Sequence, residues 1–198
     1  TPDGASGAVE SWAEPEGGHR WRVARSGEAL QLSTTPRFMQ TPAWAPDGRR
    51  IVVRQSPVRA RLQGGIGGIS ELAWYPTGGG DATVIAPTNG RGAPHFRTGD
   101  PDRIYLHHRT DGLVSIRWDG TDPEAHLKVT GFSRSAGGPP GPASWIKMAP
   151  EGDRALARVE NDLYLVTVPR VGGDAPTVSV RDPDSAPVPV TRITEFGG

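Results

Sequence analysis

The sequence predicts an all-β protein, a β-propeller of four-stranded antiparallel blades, on three observations. A strand, a tight turn and an apolar run recur about every fifty residues, in the range where self-similarity marks propellers and solenoids. The 198 residues include 27 Gly and 20 Pro, which punctuate the chain too often for long helices. No window carries apolar residues at i, i+3, i+4 and i+7 over three turns, whereas short apolar runs such as Leu113 to Trp118 recur between turn signals.

The clearest copy of the repeat is Thr41 to Val53. Trp44 sits in a brief extended segment, and Pro46-Asp47-Gly48 forms a turn in which Pro presets φ and Gly accepts a positive φ. Ile51-Val52-Val53 is a β-branched strand. The second copy runs from Ala93-Pro94-His95-Phe96 through Gly99-Asp100-Pro101-Asp102 to Ile104-Tyr105-Leu106. The third runs from Pro142-Ala143-Ser144-Trp145 through Ala149-Pro150-Glu151-Gly152-Asp153 to Ala155 to Val159. Trp44, Phe96 and Trp145 are the aromatic anchors.

Residues 1–38 read as a partial blade, because Thr1-Pro2-Asp3-Gly4 matches the turn inside the repeat and the strand expected before that turn would precede Thr1. Strands follow near Val9 to Ala13, Arg20 to Arg25 and Glu28 to Ser33. Residues 39–91 form a blade with strands near Pro42 to Ala45, Arg50 to Gln55, Ile69 to Trp74 and Ala82 to Ala86. Residues 92–140 repeat it near Pro94 to Arg97, Arg103 to His107, Leu113 to Trp118 and Glu124 to Thr130, with Thr110-Asp111-Gly112 as a hairpin turn. Residues 141–198 form the last blade, near Ser144 to Met148, Arg154 to Glu160 and Leu163 to Val168, then a loose Pro- and Asp-rich stretch before Val190 to Thr194. Ile51 to Val53, Ile104 to Leu106 and Leu163 to Val166 are apolar at successive positions, as expected of strands covered on both faces. About three and a half to four blades do not readily close a ring, so the expectation is an excerpt of a larger propeller whose end blades expose apolar faces and unpaired edges.

The pattern Pro-Ala-Trp-Ala-Pro-Asp-Gly-Arg-Arg-Ile-Val-Val resembles the TolB-like, or WD40-like PD40, repeat, roughly Pro-x-Trp-Ser-Pro-Asp-Gly-x-x-Ile-x-Phe. The copies around Phe96 and Ala149 to Asp153 depart from it. The resemblance implies periplasmic or secreted placement. In that family such propellers occur alone, in periplasmic partner-binding proteins, or fused to amidohydrolases and to tricorn-like or prolyl-oligopeptidase-like peptidases. The Arg-rich, loop-rich texture here is most similar to propellers in front of bacterial amidohydrolases. The implied function is a non-catalytic propeller portion of a larger exported hydrolase that docks or gates its catalytic domain. The alternative is a stand-alone periplasmic interaction propeller. The implied partner is a catalytic domain, the remaining blades or a second chain, and any metal would belong to a catalytic domain outside this segment.

Residues with chemical potential give way to structural readings. His107 and His108 are adjacent on a strand and point to opposite faces, so they do not share one ion. Asp100, Asp102, Asp111 and Asp119 sit beside Gly or Pro as turn residues do. Gly64-Gly65-Ile66-Gly67-Gly68 lacks the Lys-Ser/Thr of a phosphate loop. Ser70, Ser115 and Ser144 lie in strands with no argued base, and the six Trp read mainly as packing between blades. No cofactor site or catalytic constellation emerges. Zero formal net charge disfavours nucleic acid, and no apolar stretch approaches the ~20 residues that span a bilayer. With no Cys, disulfides and thiolate chemistry are excluded.

Strand alternation places the second-to-third connection of a blade and the blade-to-blade connection on one rim. Ser56 to Gly68, Pro87 to Gly92 and Gly131 to Gly141 are of this type. They carry Arg59, Arg61, Arg91 and Arg134, the candidate interaction rim.

Overall fold

The computed structural model describes residues 1–58, 70–133, 137–169 and 174–194. The chain divides into two compact units, 1–89 and 90–198.

The first unit holds two antiparallel sheets. Strands β1 (Ser6–Ala13), β2 (Gly17–Ala24) and β3 (Ala29–Gln31) form a three-stranded sheet in that order. Strands β4 (Phe38–Trp44), β5 (Arg50–Ser56), β6 (Glu71–Pro76) and β7 (Thr83–Pro87) form a four-stranded meander. Leu32, Met39, Ile51, Val53 and Tyr75 are buried between them, with Ala8 and Trp44 packed against the cluster. The run Ile51-Val52-Val53 is fully buried, as expected of a strand covered on both faces. Strand β4 begins four residues before the expected Pro42. It carries that proline at a register shift between Gln40 and Ala43, where Thr41 adopts φ 48. Such a bulge is where a strand tolerates a residue that cannot donate to the ladder.

The turn of the repeat keeps its geometry in three copies. Gly4, Gly48 and Gly152 adopt φ 71, 66 and 74, and each donates its N–H to the carbonyl three residues back at 2.9 Å, on Thr1, Ala45 and Ala149. The Asp of the turn closes an Asx bond in two of them: Ala5 N–H donates to Asp3 at 2.9 Å and Arg49 N–H to Asp47 at 2.8 Å. Pro2-Asp3-Gly4 is therefore built as a repeat turn, and β1, which follows it, occupies the position that β5 holds after Pro46-Asp47-Gly48.

The second unit also holds two sheets. Strands β8 (Arg103–His108), β9 (Gly112–Arg117) and β10 (Glu124–Thr130) form a meander. The segment expected as a strand before them is reduced to one bridge, His95 to Tyr105. Strands β11 (Trp145–Met148), β12 (Arg154–Val159), β13 (Asp162–Thr167) and β15 (Val190–Arg192) form the second sheet. The Pro- and Asp-rich stretch expected to be loose contains β14 (Thr177–Ser179), which leaves the β11-to-β15 sheet and pairs in parallel with β10. Val178 is fully buried there, and a 3₁₀ turn, Pro183–Ser185, follows. Apolar burial outweighed composition, because β10 offered an open edge to a Val-containing segment.

Leu113, Leu127, Ile146, Ala155, Val166 and Val178 belong to the core between these two sheets. Ile104, Tyr105 and Leu106 are buried on both faces as expected, but β13 alternates: Tyr164 and Val166 are buried while Leu163 and Leu165 are half-buried. One face of β13 meets the core, and the other is only partly covered.

Candidate functional site

Strand β11 separates two cavities in the second unit. The first, about 1000 Å³, opens at its C-terminal end, where Met148, the Glu151-Gly152 turn, the start of β10 and the segment leading to β14 meet. Among the described residues, Asp100, Glu124, Glu151 and Asp174 line it against Arg97 as the single cation, so the described lining is negative.

Its floor is a chain of hydrogen bonds. Arg103 Nε donates to Ser115 Oγ at 2.7 Å, and Ser115 Oγ lies 2.7 Å from His126 Nε2. With its oxygen accepting from a guanidinium, the hydroxyl donates its proton to the imidazole, which leaves Nε2 as the acceptor. Arg103 is nearly buried and its charge is answered by Asp122 at 2.9 Å and Glu124 at 3.0 Å. Tyr105 donates to Asp100 at 2.8 Å, which together with burial pushes the phenol well above its ordinary range, burial being the larger cause. Burial depresses the His126 imidazole.

Ser115 thus has the base that the sequence did not reveal, since His126 reaches it from a register shift in the neighbouring strand, where Glu124 is the residue opposite Ser115. Ser115 is nonetheless 0% exposed. A nucleophile must reach its substrate, so this pair is a structural relay. Ser70 shares a 2.7 Å hydroxyl contact with Thr88, and Ser144 donates to the Arg158 carbonyl. His95 lies beneath the same cavity, where its Nε2 accepts the Met148 N–H at 2.8 Å and its Nδ1 faces the Ala93 carbonyl at 3.3 Å. That pairing fixes the neutral Nδ1–H tautomer, and burial lowers its pKa to about 4.

The second cavity, about 580 Å³, opens at the N-terminal end of β11. Gly90, Gly92, Phe132 and Gly141 wall it, so two of the three connections assigned to one rim by strand alternation do converge. Trp145 and His107 line it with Arg109, Arg158 and Glu160, which makes this end positive. Phe132 is 47% exposed, and the Arg181 guanidinium lies 5.4 Å from its ring. His107 is 8% exposed, and its buried Nδ1 makes no well-formed hydrogen bond among the described residues, although the Ala143 and Gly112 backbones lie close enough to the ring to oppose the effect of burial. Burial remains the leading cause of the lowered His107 pKa.

Of the predicted rim arginines, Arg91 stands half-buried between two cavity-lining glycines, whereas Arg59, Arg61 and Arg134 lie outside the described residues, as does Gly64 to Gly68. His107 and His108 part as expected: His107 turns inward and His108 pairs with Asp111 at 2.7 Å. Among the described residues no three His, Asp or Glu side chains gather as a metal site would require, and no helix is long and apolar enough to cross a membrane. The six Trp are all half-buried. Trp44 packs on the core of the first unit, Trp118 stacks on Phe96 at 5.6 Å, and Trp145 faces the second cavity. The cavity residues Arg109, Arg158 and Phe132 were missed in the sequence because they are isolated surface types brought together by pairing over long separations.

No protein-family model matches the sequence, and sequence comparison finds no match among curated proteins. Solved structures do match. TolB from Acinetobacter baumannii aligns with 84% of this chain and 38% of its own, at 14% identity and TM-score 0.52. A putative TolB from Agrobacterium tumefaciens aligns with 98% of this chain and 73% of its own, at 16% identity and TM-score 0.57. An oligogalacturonate lyase from Vibrio parahaemolyticus aligns with 86% of this chain and 49% of its own, at 13% identity and TM-score 0.59. The chain therefore spans well under half the length of the Acinetobacter protein and about half that of the lyase. At these identities the likeness shows the fold.

Proposed function

From the TolB-like β-propeller fold, we propose that this chain is a non-catalytic propeller portion of a larger exported hydrolase, amidohydrolase-like in its catalytic part, and that it docks or gates that part. The observation that carries the reading is the convergence of the Pro87 to Gly92 and Gly131 to Gly141 connections on the wall of the second cavity. Loops gathered on one rim over a rigid sheet scaffold are where propellers present binding groups. The sealed Ser115–His126 pair supports a non-catalytic role, as does Ser33, 3.1 Å from His19 Nδ1: among the described residues both serines with an imidazole at hydrogen-bond distance are shut away from solvent.

The test is site-specific photo-crosslinking in the source cells, with a photoreactive phenylalanine analogue at Phe132 and, as control, at Val9. Adducts at Phe132 that contain hydrolase peptides are the expected result, and equal adducts at both positions would overturn it. A stand-alone periplasmic interaction propeller is the second reading, favoured by the 98% of this chain that aligns with the Agrobacterium protein. Adducts to a separate, non-hydrolytic protein select that reading.

A further inference from the structure

The second cavity has three features that packing leaves unexplained. The imidazole of His107 is more than nine-tenths buried in its wall, with Nδ1 making no well-formed hydrogen bond among the described residues and the Ala143 and Gly112 backbones beside the ring. The exposed ring of Phe132 and the half-buried indole of Trp145 line the same space, with Arg181 over the Phe132 ring. Arg109 and Arg158 are both exposed, Glu160 is the single lining carboxylate among the described residues, and Arg158 Nε donates to the Glu160 carbonyl at 3.1 Å, which leaves its terminal amino groups free to face the cavity.

From this arrangement we propose that the cavity is a binding site for a carboxylate carried on an aromatic-sized apolar body. The carboxylate lies between Arg109 and Arg158, whose planar donor forks match its two oxygens. The apolar body lies against Phe132 and Trp145, which offer large, rigid contact surfaces. A volume of about 580 Å³ falls in the range of small-molecule sites, where an apolar lining with a few convergent polar groups sets orientation. A compact inorganic anion would use the arginines and leave the aromatic walls idle, and a cation would meet two guanidinium groups. Behind the wall, a Cβ on Gly131 would come within 2.1 Å of Cγ1 of the lining Val159, so a larger residue there would displace that side chain. The cavity would hold such an acid whether or not the rim docks a protein, so the crosslinking result and the binding result fail independently.

The experiment titrates the whole chain with 3-phenylpropionate at low salt, following the indole N–H of Trp145 and the imidazole of His107 by NMR. Saturable shifts at both groups are expected, with 3-phenylpropylamine and inorganic phosphate each at least tenfold weaker. Substitution of Arg109→Ala together with Arg158→Ala should weaken binding at least tenfold and leave the melting temperature unchanged, since both side chains are exposed. A tetrapeptide ending in a free Phe carboxylate and its C-terminal amide separate two sources of one chemistry. Tighter binding of the acid peptide than of 3-phenylpropionate assigns the site to a polypeptide C-terminus, and the reverse order assigns it to a free acid. No saturable shift, or equal binding of the amine or of phosphate, overturns the proposal.

Discussion

The two ends of β11 are opposite in sign and opposite in how their polar groups are used. At the acidic end most buried groups satisfy one another: Arg103, Ser115 and His126 form one chain of hydrogen bonds, Tyr105 donates to Asp100, His95 ties the preceding segment to Met148, and the exception is Arg97 Nε, 3.5 Å from the Asp100 carboxylate. At the basic end Arg109 and Arg158 stand in solvent, Phe132 is exposed and His107 keeps a nitrogen with no well-formed hydrogen bond among the described residues. The larger cavity is the one whose chemistry is committed to holding the sheets together. The smaller one has groups left over for something else. Cavity size is therefore a poor guide to function here, and the state of the hydrogen-bond accounts is a better one.

Among substitutions, that contrast can be broken most forcefully at Arg103. Arg103→Met removes the cation that serves Ser115, Asp122 and Glu124, and should cost about 2 kcal/mol in urea unfolding, the scale of hydrogen bonds lost by a buried charged group, since both carboxylates are about half exposed and stay solvated. A loss below about 1 kcal/mol would mean that the acidic end is not structural.

Acid should have a comparable effect. The His95 pKa is lowered to about 4, against about 6.5 in an unfolded chain. The unfolded state takes up its proton first as pH falls. Stability is therefore full above pH 6.5 and declines down to about pH 4, by on the order of 2–3 kcal/mol. His107 and His126 are shifted in the same direction, so H95Q should flatten this slope without abolishing it. Melting temperatures across pH 4 to 8 provide the check.

Gly152→Ala sharpens the comparison within the acidic end. The residue would keep φ +74, and its Cβ would lie 2.8 Å from the Arg97 side chain, which can move aside. The cost should be about 1–2 kcal/mol, mainly backbone strain. Smallest of all, Arg158→Ala at the basic end should change stability by less than about 0.5 kcal/mol, as exposed substitutions do. A destabilisation like that of Arg103→Met would remove the distinction between the two ends.

Much of the fold was legible because its signals are local. Pro-Asp-Gly set the turns at Gly4 and Gly48, and the runs Ile51 to Val53 and Ile104 to Leu106 marked strands covered on both faces. What stayed hidden depends on partners distant in sequence. Pro42 masked the length of β4, since only pairing with β5 reveals the bulge that accommodates it. His95 gave no sign that its partner would be the Met148 amide, 53 residues away. Of the candidate site, the convergence of the rim connections followed from strand alternation. The placement of Arg109 and Arg158 in the lining of one cavity did not, because no spacing rule links the ends of strands in different sheets.

Strand β14 has a consequence for how this architecture can grow. A propeller lengthens by copying a cassette of about fifty residues, which works when each cassette folds onto itself. Here the last cassette lends residues Thr177–Ser179 to its predecessor and then returns through β15 to finish its own sheet. Neither cassette is then a self-sufficient unit of inheritance. Excising the last would strip an edge from the one before it, and duplicating the earlier one alone would create a copy with no donor. The pair is the smallest module that recombination could move intact.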